Sequence, residues 1–136
     1  MHSISSERTA RAVSSRAERD GLVQECLLQV NVSGEGSKDG MTPAEVLEAA
    51  PRIAELPGLS IAGAMTMAPQ GDPAEAERTF AGLAELLDSL DEAHPGLLVR
   101  GELSMGMSED FESAIRHGAT MVRLGRIVFD PDFSVY

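Results

Sequence analysis

Two short segments near the end of the chain carry residues suited to holding an anion. Ser104-Met105-Gly106-Met107-Ser108 offers two hydroxyls around a glycine, followed by the acidic pair Glu109-Asp110. Arg123-Leu124-Gly125-Arg126 lies fifteen residues further on and supplies two guanidinium groups around a second glycine. A guanidinium presents forked donors that match phosphate oxygens. A glycine lets backbone come close to a ligand, and a helix start offers free N–H groups to an anion. This spacing is also compatible with a plainer role, in which Gly106 shapes a turn, Ser108 caps a helix and Arg123 pairs with a surface acid.

Other candidate chemistry is thinner. Gly34-Glu35-Gly36-Ser37-Lys38 looks like a phosphate loop but lacks the Gly-Lys-Ser/Thr order leading into a helix. His2, His94 and His117 have no ligand partner at metal-site spacing, so no metal is expected. Cys26 sits in an apolar run with no base in sequence beside it, and no Gly-x-Ser-x-Gly elbow occurs. Asp88, Asp91 and Glu92 read as a solvated helix face. No catalytic nucleophile emerges.

The elements that must position the two segments follow from periodicity. Residues 4–19 are expected to be helical, with Ala10, Val13 and Ala17 on one side. Residues 26–32 read as a strand, and 33–40 as a glycine-rich loop. Thr42-Pro43-Ala44-Glu45 has the chemistry of a capped helix start, with Val46, Ala50 and Ile53 on one face. Residues 59–65 form the next strand. Asp72-Pro73-Ala74-Glu75 opens a helix with a Phe80, Leu83, Leu87, Leu90 stripe. Residues 97–103 lead in the third strand, Ser108 starts a short helix, and 120–124 are the fourth strand.

The α-β-α-β-α-β-α-β order repeats at βαβ length, which gives parallel strands. The expected fold is therefore α/β, as an open sheet or as part of a TIM-type (β/α) barrel: four βα units preceded by a helix. No linker divides residues 1–136, so one domain is expected. Ligands bind at the C-terminal ends of parallel strands, where both segments fall. Four strands alone would leave two open edges, a route to self-association as a homodimer.

Composition narrows the partners. The chain has 136 residues, 22 acidic and 11 basic side chains, and a net charge of -11. That balance disfavours nucleic acid and anionic membranes. At 43% hydrophobic with 4% aromatic, the core must come from aliphatic residues and Met. One cysteine, no signal-like start and no apolar run of membrane length make the cytoplasm the expected compartment.

With these elements in place the motifs resemble the pyridoxal phosphate homeostasis protein family, which is similar to the barrel domain of alanine racemase. The resemblance rests on Leu28-Gln29-Val30-Asn31-Val32, Ser37-Lys38-Asp39-Gly40 and Gly63-Ala64-Met65-Thr66-Met67-Ala68-Pro69. It is strongest in Leu103 through Phe111 and in Gly118 through Arg126. His2-Ser3-Ile4 resembles the segment after the family's fourth strand, so the last four strands of the barrel are implied.

The resemblance implies a non-catalytic carrier of pyridoxal 5'-phosphate. Ser104, Met105, Gly106, Met107, Ser108, Arg123, Gly125 and Arg126 would hold the cofactor. The family's cofactor-bonding lysine lies on the first barrel strand, and the chain's single lysine, Lys38, matches another position. Binding is therefore expected to be non-covalent. Asp130 stands where the family has a glycine after the final Phe. A racemase-like activity would need a lysine base and an opposing tyrosine, and the only tyrosine is Tyr136.

Overall fold

A computed structural model describes residues 1–34 and 39–134. Lys38 and Tyr136 lie outside the described residues, so their expected roles have no structural counterpart here. Helix α1 (Glu7–Arg19) is followed by strand β1 (Gln24–Gln29), helix α2 (Pro43–Ala54), strand β2 (Leu59–Met65) and helix α3 (Pro73–Ala93). Strand β3 (Glu102–Met107), helix α4 (Phe111–Arg116), strand β4 (Met121–Arg123) and a last helical turn, α5 (Arg126–Phe129), complete the order.

The helix starts are chemical. The Ser6 hydroxyl accepts from the Thr9 N–H, and Thr42 with Glu45 forms a reciprocal capping box. The Asp72 carboxylate accepts from the Glu75 N–H, one residue before Pro73. Ala10, Ser14 and Ala17 recur at helical spacing along the buried side of α1. In α2 the buried row is Val46, Ala49, Ala50 and Ile53, and in α3 it includes Phe80, Leu83, Leu87 and Leu90.

The strands form one parallel sheet in the order β1-β2-β3-β4. The main core lies between the sheet and the helices, joining Ile53, Phe80, Leu83 and Leu90 to Leu28, Ile61, Ala64 and Met105. Leu27, Ala62 and Met65, with Met121 against them, form a second cluster. Because side chains alternate across a strand, Ser104 and Arg123 share the second cluster's face.

Three expectations need correction. Residues 97–100 are not strand. Gly96 (φ +84°) and Gly101 (φ +73°) bracket a bent segment whose Leu97 and Leu98 pack on the core without entering the ladder. Strand β3 begins at Glu102, aligned with Gly63, so Ser104 to Met107 lie on the strand itself and not in a turn after it. Helix α1 begins at Glu7, because Ile4 is used elsewhere. Its N–H donates to Leu27 O at 3.2 Å and its carbonyl accepts from the Gln29 N–H at 2.8 Å, a parallel bridge onto β1. That bridge also covers part of one sheet edge, so the two edges are not equally open.

Candidate functional site

The C-terminal ends of β3 and β4 frame a cavity of about 230 Å³ lined by Met107, Ser108, Arg123, Gly125 and Arg126, with Gln70, Glu109 and Asp110. Five of the eight residues singled out in the sequence thus meet in one place. The other three do not line it. Ser104 is fully buried beneath Arg123, Met105 is fully buried in the helix-side core, and Gly106 turns toward α4.

Gly106 has φ +101°, a conformation favouring glycine. A Cβ built there would sit 2.7 Å from Ala114 Cβ and 3.1 Å from Phe111 Cα. The glycine therefore admits α4, not a ligand. Gly125 is different: a Cβ there would meet nothing within 4 Å, so its backbone borders open space.

Ser108 does not cap the helix that follows it. Helix α4 starts three residues later, and the Met107 N–H donates to Asp110 Oδ1 at 2.8 Å. The Ser108 hydroxyl instead accepts from the N–H groups of Gly125 and Ile127, at 3.3 and 3.1 Å. It ties the two segments together and leaves its own proton available. The partner nineteen residues away was invisible to a local capping rule.

Arg123 donates from Nη1 to Ser104 Oγ at 2.7 Å and from Nη2 to the Thr66 carbonyl at 2.9 Å. Burial pushes its pKa down, partly offset by the nearby Asp110 carboxylate. A poorly hydrated cation of this kind gains more from an anion than a solvated one does. Arg126 is less committed: it pairs with Glu109 at 2.8 Å, half exposed, and stacks over Phe133 at 5.1 Å. Such a surface pair is worth about 0–1 kcal/mol, so an incoming anion could displace it cheaply.

Thr66, Gln70, Glu109 and Asp110 are site residues that sequence reasoning did not assign. Thr66 and Gln70 follow the end of β2, and the strand-end rule applied to that strand would have reached Thr66. Cys26 is inert as expected: it is buried, and burial pushes its thiol up to about 11. Among the described residues no group of His, Cys, Asp and Glu could hold a metal, and no helix is long and apolar enough to cross a membrane.

A parallel sheet bearing an Arg-Gly turn beside a Ser-rich strand end defines a class, and comparison with known proteins agrees. The chain belongs to the family of the alanine racemase N-terminal domain, whose model matches residues 1–131. Within it the chain is similar to pyridoxal phosphate homeostasis proteins. That of Aquifex aeolicus is 38% identical over 130 residues, and that of Pasteurella multocida is 42% identical over 104. These alignments cover 95% and 76% of this chain but 56% and 44% of the relatives, so the chain spans about half their length.

PipY of Synechococcus elongatus, solved with PLP bound, superposes with a TM-score of 0.85 at 32% identity, over 94% of this chain and 59% of PipY. Alanine racemase of Clostridium difficile shares the fold at a TM-score of 0.71 and 19% identity, over 93% of this chain and 33% of that one.

Proposed function

We propose that this chain binds pyridoxal 5'-phosphate through the phosphate, without catalysing a reaction on it, and serves intracellular homeostasis of the cofactor. The observation carrying this reading is the meeting of Arg123, Ser108 and Gly125 on one cavity. The cavity suits a phosphate: a half-buried guanidinium, a buried hydroxyl that accepts two N–H groups and keeps its proton to donate, and backbone with open space before it. Relatives named for pyridoxal phosphate homeostasis, and PipY with PLP bound, support the choice of ligand.

On this reading residues 1–136 are one domain, the last four βα units of a TIM-type barrel, at work in the cytoplasm. The sequential strand order and the placing of the main core on the helix side of the sheet suit a barrel arc. Arg126 joins the phosphate by releasing Glu109. Ser104 and Met105 lie beneath the site, and Gly106 makes room for α4. When bound, the cofactor supplies an aldehyde to its surroundings; among the described residues lining this cavity there is no lysine.

The test is a titration of pyridoxal phosphate followed by absorbance and thermal unfolding. Saturation should raise the melting temperature, and Arg123→Ala should abolish the rise. Unchanged melting of the wild type at millimolar ligand would defeat the proposal. Borohydride reduction followed by intact mass should give no adduct, in keeping with non-covalent binding.

A second reading, self-association, is favoured by one feature. Beyond β4 no further strand is paired among the described residues, and beside it Leu124, Ile127, Val128 and Phe129 are exposed, Phe129 to 83%. A dimer pairing through this edge should show twice the monomer mass by light scattering, and Phe129→Glu should return it to the monomer.

A further inference from the structure

The cation at the heart of the cavity is held from behind by a row of hydrogen bonds that crosses the whole sheet. The Thr66 hydroxyl donates to the Val30 carbonyl at 2.7 Å, just past the end of β1. The Thr66 N–H donates to the Ser104 carbonyl at 3.1 Å. The Thr66 carbonyl and the Ser104 hydroxyl then each accept from a different nitrogen of the Arg123 guanidinium. Thr66 and Ser104 are 1% and 0% exposed, so neither side chain is placed to touch a ligand directly.

We infer that Thr66 and Ser104 are positioning residues: they lock the plane of the Arg123 guanidinium before any ligand arrives. The inference rests on the proposed phosphate site but assigns these two residues a role that the ligand-contacting set does not include. A free arginine side chain has many rotamers, and ordering it on binding weakens affinity. Two acceptors on adjacent strands, spaced to meet two nitrogens of one planar group, remove that freedom in advance. A guanidinium has five N–H donors, so two bonds into the sheet leave others for the cavity. The row also explains why a hydroxyl is kept in the interior at Ser104. Alanine would leave a half-buried guanidinium nitrogen facing apolar Met65 and Met121 on that side of the sheet.

A positioning role acts through Arg123, and this separates it from a role of its own. Dissociation constants for pyridoxal phosphate would be measured for wild type, Ser104→Ala, Arg123→Ala and the double variant, and for Thr66→Val and Thr66→Ser. Loss of a hydrogen bond to a charged group predicts about tenfold weaker binding for Ser104→Ala; Thr66→Val keeps its carbonyl on Arg123 and loses only the neutral bond to the Val30 carbonyl, so about threefold weaker binding is expected there. Thr66→Ser should restore wild-type affinity. The double variant should bind no more weakly than Arg123→Ala alone. Wild-type affinity in Ser104→Ala, or multiplied losses in the double variant, would overturn the assignment.

A second readout needs no ligand. Nitrogen-15 NMR should show hindered rotation of the Arg123 guanidinium in the wild type and faster rotation in Ser104→Ala. Fast rotation in both would refute the brace even if the cofactor binds. Slow rotation without cofactor binding would keep the brace and reject the proposed function.

Discussion

Replacing Gly106 with alanine separates two accounts of the Ser-Met-Gly-Met-Ser segment. If the glycine exists so that backbone can approach a phosphate, Gly106→Ala should fold normally and bind pyridoxal phosphate poorly. The structure requires the opposite. At φ +101° an L side chain is strained, by about 1–2 kcal/mol on the scale of left-handed backbone. The new methyl would also lie 2.7 Å from Ala114 Cβ and 3.3 Å from Val122 Cγ1. Ala114 is fully buried, so α4 must shift, and overpacking of this kind costs about 1–3 kcal/mol. Together the loss is about 2–5 kcal/mol, a large part of the roughly 5–15 kcal/mol that holds a domain together. At about 4 °C per kcal/mol for a chain of this size, the melting temperature should fall by roughly 8–20 °C. Circular dichroism melts and urea midpoints would measure it. Ligand affinity, taken well below the lowered midpoint, should stay within about threefold of wild type, because a methyl on the α4 side leaves the cavity untouched. A stable variant with lost binding would refute this placing of Gly106.

Two further outcomes follow from the packing around the sheet. Ser14 is 2% exposed and its hydroxyl accepts the Gly58 N–H at 2.9 Å, joining α1 to the start of β2; Ser14→Ala should cost about 1–3 kcal/mol, read as a lower urea midpoint with an unchanged slope. Glu77 on α3 accepts from Arg116, Ser113 and His117 on α4, in that order of effect, and these donors hold its carboxyl down at about 2. Its folded value lies below its ordinary 4.5, so its contribution is complete above about pH 4.5 and is lost as the pH falls toward 2. Glu77→Gln should therefore flatten the stability profile across that interval, and an unchanged acid limb would show that the three donors contribute nothing to folding.

The elements legible in the sequence were those whose signals are local. Asp72, Thr42 and the leucine stripe of α3 mark caps and a buried face within a few residues of each other, and the structure places them as expected. Leu97-Leu98-Val99 deceived because an apolar run reports burial, not ladder pairing: Leu97 and Leu98 pack on the core, and the segment meets β2 through the Val99 N–H on the Ile61 carbonyl without forming a strand. The candidate site divides along the same line. Its strand-end location could be read from the β-α order alone, but which side chain faces the ligand depends on strand phase. Once β3 begins at Glu102 and not at 97, Ser104 and Met105 fall on opposite faces, and Gly106 packs against α4.

Ser108 shows why such phase errors matter for function. Read locally, Ser108-Glu109-Asp110 is a helix start, and its hydroxyl would be spent on that helix. In the structure the cap is absent, Asp110 takes the local N–H, and Ser108 reaches across to Gly125 and Ile127. A hydroxyl that accepts two backbone N–H groups has both lone pairs engaged, but it still has a proton to donate. A phosphate needs donors, and with the Gly125 and Ile127 N–H groups given to Ser108, that proton and the Arg123 guanidinium remain as donors from residues lining the same cavity. The coupling between the two motifs is thus a hydrogen-bonded one, made at a separation no sequence rule for caps or turns inspects.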